Sequence, residues 1–267
     1  MLNTRPPAVA GAFYPGDPAT LSRTVDQLLA EAEPVSGIQP KALIVPHAGY
    51  VYSGSTAATA YAALAPWAKT IRRVILLGPT HRIAVDGIAL PEADVFSTPL
   101  GPIRLDAQAI AAIADLPQIV FSDHVHAFEH SLEVHLPFLQ RVLEHFTLVP
   151  LAVGHATPEA VAEVLDRLWG GPETLIVVSS DLSHFLPYAT AQQVDSDTCR
   201  HIAQFDTRIH PEQACGAYPI NGLLLATSRR GLIPTLLGLC NSGDTAGDKG
   251  RVVGYAAFSF SEAGNHA

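Results

Sequence analysis

The chain has 267 residues, of which 48% are hydrophobic and 15% are charged, and this composition excludes a disordered chain and is sufficient for a sizeable buried core. It carries 16 basic and 25 acidic residues, a net charge of −9, so most of its surface repels phosphates and nucleic-acid binding is not expected. Three widely spaced cysteines and the lack of a signal-peptide or membrane-spanning pattern predict a cytoplasmic protein with neither a disulfide framework nor a membrane partner.

The first predicted element is a helix, and buried strands follow it in alternation with further helices. Asp17-Pro18 is typical of a helix start, and Leu21, Val25 and Leu28 lie on one face of the helix that follows. Four continuous apolar runs have the pattern of strands buried on both faces of a mainly parallel sheet, at 42–45, 74–77, 148–153 and 175–178. Helices are predicted between these runs at 55–64, 131–145 and 158–169.

Two segments depart from this alternation. Residues 87–105 are predicted to form short strands interrupted by Pro and Gly. Residues 232–239 and 252–260 alternate apolar and polar side chains, and turn residues at 241–244 join them, so an antiparallel hairpin is predicted. We therefore predict one α/β domain over residues 1–267, a three-layer sandwich with helices on both faces of a mainly parallel, mixed central sheet.

Polar residues follow three of the predicted strands. His47 follows the first strand, His81 follows the second, and Asp181 and His184 follow the strand at 175–178. Ligands of open α/β sheets bind at the carboxyl ends of the strands, so these four side chains are expected to share one crevice. A lone loop histidine usually packs or caps a helix, but three strand ends that each deliver an imidazole or a carboxylate favour a functional site.

Cys215 is a candidate anionic partner for these imidazoles. Neutral imidazole is a common ligand for zinc, iron and copper, and two imidazoles leave a divalent ion without an anionic ligand. Cys215 lies in a turn before an apolar helix predicted at about 221–228, where a thiolate gains from nearby N–H groups. The alternative for this cysteine is a small buried side chain, and the spacing alone does not choose between the two.

A second polar cluster lies between residues 123 and 138. His130 and His135 are five residues apart, which excludes the helical zinc-protease pattern, since that pattern needs histidines four apart. Glu129 and Glu133 are four apart and could align, either at a site or on a solvated helix face. Glu129 beside His130 is the more informative pair, because a buried carboxylate would orient an imidazole for acid–base chemistry.

Six motifs occur in a fixed order along almost the whole chain: Arg5-Pro6-Pro7-Ala8-Val9-Ala10-Gly11-Ala12-Phe13-Tyr14-Pro15, Pro46-His47-Ala48-Gly49-Tyr50-Val51-Tyr52-Ser53-Gly54, Gly78-Pro79-Thr80-His81, Glu129-His130-Ser131-Leu132-Glu133, Ser179-Ser180-Asp181-Leu182-Ser183-His184 and Cys215-Gly216 with Pro219-Ile220. Together they resemble the Memo family, which in bacteria and archaea is also called AmmeMemoRadiSam system protein B. The resemblance implies a fold similar to that of class III extradiol dioxygenases, which cleave catechol rings with a non-heme iron held by two histidines and a carboxylate.

The resemblance also implies roles for the polar residues. It implies a metal site of His47, His81 and Cys215, with iron(II) as the expected ion and copper or zinc as alternatives. His184 corresponds to the acid–base histidine of the dioxygenases, and Asp181 would orient it or a neighbour. A thiolate in place of the carboxylate departs from the dioxygenases, so ring cleavage does not follow from the resemblance.

Two functions from different classes are compatible with these features. The first is a non-heme iron-dependent, dioxygenase-like oxidoreductase acting on a small molecule, with Glu129 and His130 opposite the metal and Phe13, Tyr50 and Tyr52 as the substrate wall. The second is a non-catalytic metal- or peptide-binding adaptor that retains the pocket. A zinc hydrolase ranks below both, because no carboxylate base adjoins a ligand. The family name further implies a radical S-adenosylmethionine protein and a second small protein as partners.

Overall fold

Twelve strands and eight α-helices lie in the part of the chain that the structure, a computed structural model, describes: residues 2–33 and 37–263. The strands are β1 Thr4–Arg5, β2 Pro40–Val45, β3 Arg73–Pro79, β4 Ile88–Leu90, β5 Val95–Thr98, β6 Gly101–Arg104, β7 Ile119–Phe121, β8 Thr147–Val153, β9 Thr174–Ser179, β10 His184–Leu186, β11 Ile233–Asn241 and β12 Val252–Ser261. The α-helices are α1 Pro18–Glu31, α2 Tyr50–Ala62, α3 Ala107–Ala111, α4 Asp123–Ala127, α5 Leu136–Val142, α6 Pro158–Leu168, α7 Tyr188–Ala203 and α8 Ala217–Ser228. No helix in the described ranges has both the length and the apolar character needed to cross a membrane.

Helix α1 begins where the sequence predicts. The Asp17 carboxylate accepts a hydrogen bond from the Thr20 N–H at 2.8 Å. Pro18 occupies the first turn, where a backbone N–H has no partner within the helix, so proline costs no hydrogen bond there. Leu21 and Val25 are fully buried. The apolar face predicted from their spacing is therefore the face that packs against the rest of the protein.

Four parallel strands form the centre of the main sheet, in the order β2, β9, β3 and β8. Antiparallel strands extend this centre on both sides, because β12 pairs with β2 and β4 pairs with β8. Strands β11 and β12 form the predicted hairpin, and the short strands predicted at 87–105 are β4, β5 and β6. The predicted α/β fold with a mixed sheet is confirmed.

Helices cover both faces of this sheet. Neighbouring residues of a strand point to opposite faces, and β2 shows the consequence. Leu43 packs in a core with apolar residues of α1, α2 and α5, whereas Ile44 packs in a second core with those of α6 and α8. Both faces of the central strands are therefore buried away from water, which explains why their sequences are continuously apolar.

The helix predicted at 131–145 is shorter in the structure. A 3-10 turn covers Glu133–His135, and α5 covers only Leu136–Val142. Pro137 lies in the first turn of α5, where proline is tolerated. Inside a helix that began at residue 131, it would remove a backbone hydrogen bond and clash with the preceding turn. Helices α2 and α8 begin a few residues earlier than predicted, at Tyr50 and Ala217.

Glu133 anchors the N-terminal segment to the core. Its carboxylate is 0% exposed and forms an ion pair with Arg5. The same carboxylate accepts hydrogen bonds from the Tyr14 hydroxyl at 2.6 Å and from the N–H groups of Ala8 and Val9 at 2.7 and 3.0 Å. The sequence left open that Glu133 lies on a solvated helix face, and this alternative is wrong. The buried carboxylate instead fixes the path of the first strand and turn.

We expect Glu133→Ala to lower the free energy of unfolding by about 3–5 kcal/mol, because it leaves the buried Arg5 guanidinium without a counter-ion. Urea unfolding followed by circular dichroism measures this change. Glu144→Ala is the matched control, since Glu144 pairs with Lys69 on the surface at 3.6 Å, where such a pair contributes about 0–1 kcal/mol. Equal effects of the two substitutions would show that the buried pair does not hold the segment.

Candidate metal centre

Three histidine rings converge at the carboxyl edge of the main sheet. Strands β2, β9 and β3 are parallel neighbours, so the loops that follow them begin at the same edge. His47 follows β2, His81 follows β3, and His130 comes from the loop between α4 and the 3-10 turn. One donor atom of each ring lies within 4.8 Å of the donor atoms of the other two. The structure thus brings together two of the predicted ligands and a third imidazole.

Two glycines allow the loops to approach the strand ends. A Cβ at Gly78, near the end of β3, would lie only 2.8 Å from Ser131 Oγ and 2.9 Å from a methyl carbon of Leu132. A Cβ at Gly216 would lie 2.6 Å from the Ser179 carbonyl oxygen. Any larger residue at either position would push the 129–133 loop or the 215–216 turn away from the site.

The ring of His47 is held by a chain of hydrogen bonds. Ser179 Oγ donates to the Ser131 carbonyl oxygen at 2.7 Å, so at 2.6 Å it accepts the proton of His47 Nδ1. This arrangement leaves Nε2 with a free lone pair. Burial lowers the pKa of His47 well below its ordinary value, and the ring is therefore a neutral potential ligand.

The buried Glu129 carboxylate orients the ring of His81. Its carboxylate is 1% exposed and contacts His81 twice, accepting from the backbone N–H at 2.5 Å and from Nδ1 at 2.9 Å. Burial alone raises the pKa of this carboxyl group, but hydrogen bonds from His81 and Ser131 outweigh burial and hold the pKa at about 2. The carboxylate is anionic, so Nδ1 of His81 donates to it and Nε2 is the ring nitrogen that remains for a ligand.

His130 completes the group of three imidazoles. Its Nδ1 is buried with no hydrogen-bond partner among the described residues, and it lies 3.3 Å from Glu129 Oε1. The ring packs against Phe13, with 4.7 Å between the ring centroids. Burial lowers the pKa of His130 to about 4, so this imidazole is also neutral near pH 7.

The donor set fits a transition-metal ion. Neutral imidazole nitrogens are common ligands for iron, zinc and copper, and hydrogen bonds from the second ring nitrogen are the usual way to orient them. His47 and His81 both have such a bond, and His130 has a buried nitrogen that lacks a partner among the described residues. The convergent rings therefore have the chemistry and orientation that a metal site requires.

Cys215, the predicted anionic ligand, lies beside His47. Its Sγ is 3.4 Å from His47 Nε2 and accepts a hydrogen bond from the Asp181 N–H at 3.3 Å. Burial, and then the nearby charge of Asp181, raise the pKa of Cys215 above its ordinary value. Without an ion the side chain is a thiol, and a thiolate here requires a cation. Cys199 and Cys240 lie elsewhere, in α7 and β11.

Asp181 and His184 border the same site. Asp181 Oδ1 accepts the backbone N–H of His47 at 2.7 Å, and burial raises the pKa of this carboxyl group to about 7 against the opposing effect of that hydrogen bond. His184 lies in β10, and burial lowers its pKa. The two side chains expected to share the crevice with His47 and His81 therefore do so in the structure.

A cavity of about 620 Å³ lies above the histidines. Phe13 and Tyr52, predicted as substrate-wall residues, line it. Tyr50 requires a correction, because the structure places it in the core and outside this cavity. Its ring packs 4.9 Å from that of Phe138, and its hydroxyl donates to the Val134 carbonyl at 2.8 Å. Tyr50 therefore packs against α5 and the N-terminal turn, whereas Tyr52 is partly exposed at the cavity.

Several residues at the site were not found from the sequence. Ser179 is visible in the motif that ends β9, yet nothing in the sequence pairs it with His47. Arg82 lines the cavity. Its place directly after the predicted ligand His81 could have indicated this from the sequence. Arg251 had no such signal, because it reaches the cavity only through the pairing of β12 with β10.

Comparison with known proteins identifies the family. The sequence model of the family described as "Memo-like protein" matches residues 5–259. The chain belongs to the Memo family. The resemblance predicted from the six motifs is confirmed. A MEMO1 family protein of Aquifex aeolicus is 35% identical, with 97% of this chain and 100% of the relative covered. A MEMO1 family protein of Ignicoccus hospitalis is 34% identical, with 96% and 98% covered.

A solved structure supports the fold of this Memo family member. The crystal structure of the uncharacterized protein JW3007 from Escherichia coli K12 is similar, with a TM-score of 0.52 and 11% sequence identity. The similarity covers 81% of this chain and 98% of that protein. At this level of identity the comparison speaks to the α/β fold alone.

Two further histidines of the 123–138 cluster are buried in the core. His126 donates from Nε2 to the Ala89 carbonyl at 2.9 Å, and His135 Nδ1 lies 2.8 Å from the Tyr61 hydroxyl oxygen. The second nitrogen of each ring is buried without a hydrogen-bond partner in the described part of the chain. Burial lowers the pKa of His126 to about 4 and that of His135 to about 3. Both rings are therefore neutral near pH 7.

We expect acid to destabilise the protein through these two rings. In the unfolded chain a histidine binds a proton below its ordinary pKa of about 6.5, whereas the folded rings stay neutral until about pH 4. The unfolded state binds more protons in this interval, so the free energy of unfolding should fall as the pH decreases from about 6.5 to about 4. Urea unfolding at a series of pH values measures the slope.

A pair of variants isolates the contribution of His135. His135→Gln does not titrate in this range and should reduce the slope, whereas His210→Gln, at an exposed position, should leave it unchanged. If all three proteins have the same slope, His135 binds its proton equally in the folded and unfolded states, which contradicts the prediction.

Proposed function

We propose that this Memo family member is a metal-dependent, dioxygenase-like oxidoreductase that acts on a small molecule and holds iron(II) at His47, His81 and Cys215. The observation that carries the proposal is the convergence of imidazole donor atoms within 4.8 Å at the carboxyl edge of the sheet. The adjoining cavity of about 620 Å³ has the size of a small-molecule site.

Charge favours Cys215 as the third ligand. Three neutral imidazoles would leave the double charge of iron(II) unbalanced, and Glu129 is already engaged by the backbone and ring of His81. The sulfur of Cys215 contacts His47 Nε2 at 3.4 Å, and a bound cation would lower its pKa. In this proposal His130 and Glu129 would form the opposite wall of the site and would not bind the ion.

The protein's own residues would bind and orient the substrate and move its proton. Iron(II), when bound, would supply Lewis-acid and redox chemistry toward the substrate and dioxygen. His184 has a lowered pKa because of burial, so its neutral ring can accept a proton from a substrate hydroxyl. Asp181 fixes the backbone of His47, and Phe13 and Tyr52 would hold an apolar substrate ring away from water.

Removal of a ligand should release the metal. We expect His47→Ala and His81→Ala to weaken iron(II) affinity by about 100-fold or more, because each removes a direct bond and even outer hydrogen-bond partners contribute about 10- to 100-fold. Cys215→Ser should weaken affinity far more than Cys199→Ser, whose thiol is buried in α7. Protein purified without oxygen and reconstituted with iron(II) is measured by metal analysis and by its spectrum with nitric oxide.

His130→Gln decides between the two possible ligand sets. If it keeps iron(II) while Cys215→Ser loses it, the thiolate is the third ligand. If it loses iron(II) while Cys215→Ser keeps it, the ion is held by three histidines and the assignment of Cys215 is wrong. Retention of iron(II) by every variant would remove the basis of the proposal, provided that circular dichroism shows an unchanged fold.

His184→Gln should leave the iron content unchanged and lower turnover by about 100-fold or more, since loss of a general base has an effect of this order. Oxygen uptake by the iron-loaded protein with a panel of catechols measures turnover. Loss of iron in this variant would make His184 a ligand, and full activity would make its ring structural.

A second candidate function, a metal- or peptide-binding adaptor, is favoured by two exposed aromatic rings. Tyr52 and Phe185 line the cavity and are 39% and 60% exposed, as expected of residues that contact a partner. Stable iron binding without oxygen uptake from any tested substrate would favour this adaptor over the oxidoreductase.

A further inference from the structure

Two arginines line the cavity above the histidines without a partner of their own. Arg82 and Arg251 are exposed, and neither forms an ion pair or donates a side-chain hydrogen bond within residues 2–33 and 37–263. Several exposed arginines elsewhere do pair with carboxylates, as Arg141 does with Asp26 at 2.8 Å. Within the described residues, the two guanidinium groups at this cavity therefore keep N–H donors that no carboxylate engages.

The two carboxylates that line the cavity form no ion pair with either arginine among the described residues. Asp248 accepts the N–H of Gly250 at 2.5 Å within its own loop. Asp181 is buried and accepts the N–H of His47 at 2.7 Å. An anion that enters this cavity therefore meets two guanidinium groups whose N–H donors are not engaged by any described carboxylate.

An apolar surface lies next to this charge. The Arg251 guanidinium lies over the Phe185 ring, 5.1 Å from its centroid, and a stacked guanidinium keeps its N–H donors free for an anion. Phe185 has φ +59°, a conformation that is unfavourable for a bulky residue and that is found most often at functional sites. Phe13 and Tyr52 add two further rings to the lining.

We infer that the cavity selects a small molecule in which an anionic group, a carboxylate or a phosphate, is attached to a flat apolar ring. Arg82 and Arg251 bind the anionic group, and Phe13, Tyr52 and Phe185 contact the ring. The inference rests on the proposed function in one respect only, namely that the bound molecule is called the substrate. The anion subsite itself consists of protein side chains and does not require a bound metal.

The test compares three probes that share a ring and differ in charge: benzoate, phenyl phosphate and neutral benzamide. Isothermal titration calorimetry with metal-free protein should show that at least one anion binds about tenfold more tightly than benzamide, because charge-assisted hydrogen bonds are stronger than neutral ones. A preference for benzoate identifies a carboxylate substrate, and a preference for phenyl phosphate identifies a phosphate. Higher salt should weaken binding of the anions and leave that of benzamide unchanged.

Arginine variants locate the subsite. Arg82→Gln and Arg251→Gln should each weaken binding of the preferred anion by about three- to tenfold, a modest factor because both side chains are exposed to solvent. Binding of benzamide should not change. Arg104→Gln is the matched control, since Arg104 is exposed in β6 and does not line this cavity.

The outcomes separate this inference from the proposed function. If neither anion binds more tightly than benzamide, or if the two cavity variants behave like Arg104→Gln, the inference is wrong even when the protein binds iron(II). If the anion preference depends on Arg82 and Arg251 but the protein binds no metal, the subsite stands and the proposed oxidoreductase is wrong. Repeating the titration with iron-loaded protein shows whether a metal strengthens binding at the same subsite.

Discussion

The parallel pairing of β2, β9 and β3 is the constraint on which the site depends. Because the three strands run in one direction in adjacent positions, the loops after them leave the same edge of the sheet. His47, His81 and Asp181 thereby become neighbours, although they are far apart in the chain. The strands themselves are fixed by burial on both faces, so the core fixes the point at which each of these loops begins.

Two buried glutamates connect this edge to the rest of the protein. Glu129 uses its carboxylate to fix His81, and Glu133 uses its own to hold Arg5 and the N-terminal turn. That turn carries Phe13, which packs on His130. Each buried charge is matched by several hydrogen bonds, as the low dielectric of the interior requires. The site and the N-terminal segment therefore belong to one network.

Protonation divides the site into two zones. Burial keeps His47 and His130 neutral and Cys215 protonated when no cation is present. The inner zone is thus prepared for a positive ion, which would be compensated by ionisation of the thiol. The outer zone has the guanidinium groups of Arg82 and Arg251, which pair with no carboxylate in the described part of the chain and can bind an anion. A metal inside and an anion at the opening are compatible, because each lowers the electrostatic cost of the other.

The sequence by itself determined the α/β class, the buried central strands, the closing hairpin and the positions of His47 and His81 at strand ends, because apolar periodicity and turn residues act over short distances. Tertiary structure alone decided that Ser179 orients His47, that Glu129 orients the ring of His81, and that Tyr50 faces the core. These outcomes depend on the distance between segments remote in sequence and on the direction of each side chain. Local pattern does not encode either quantity.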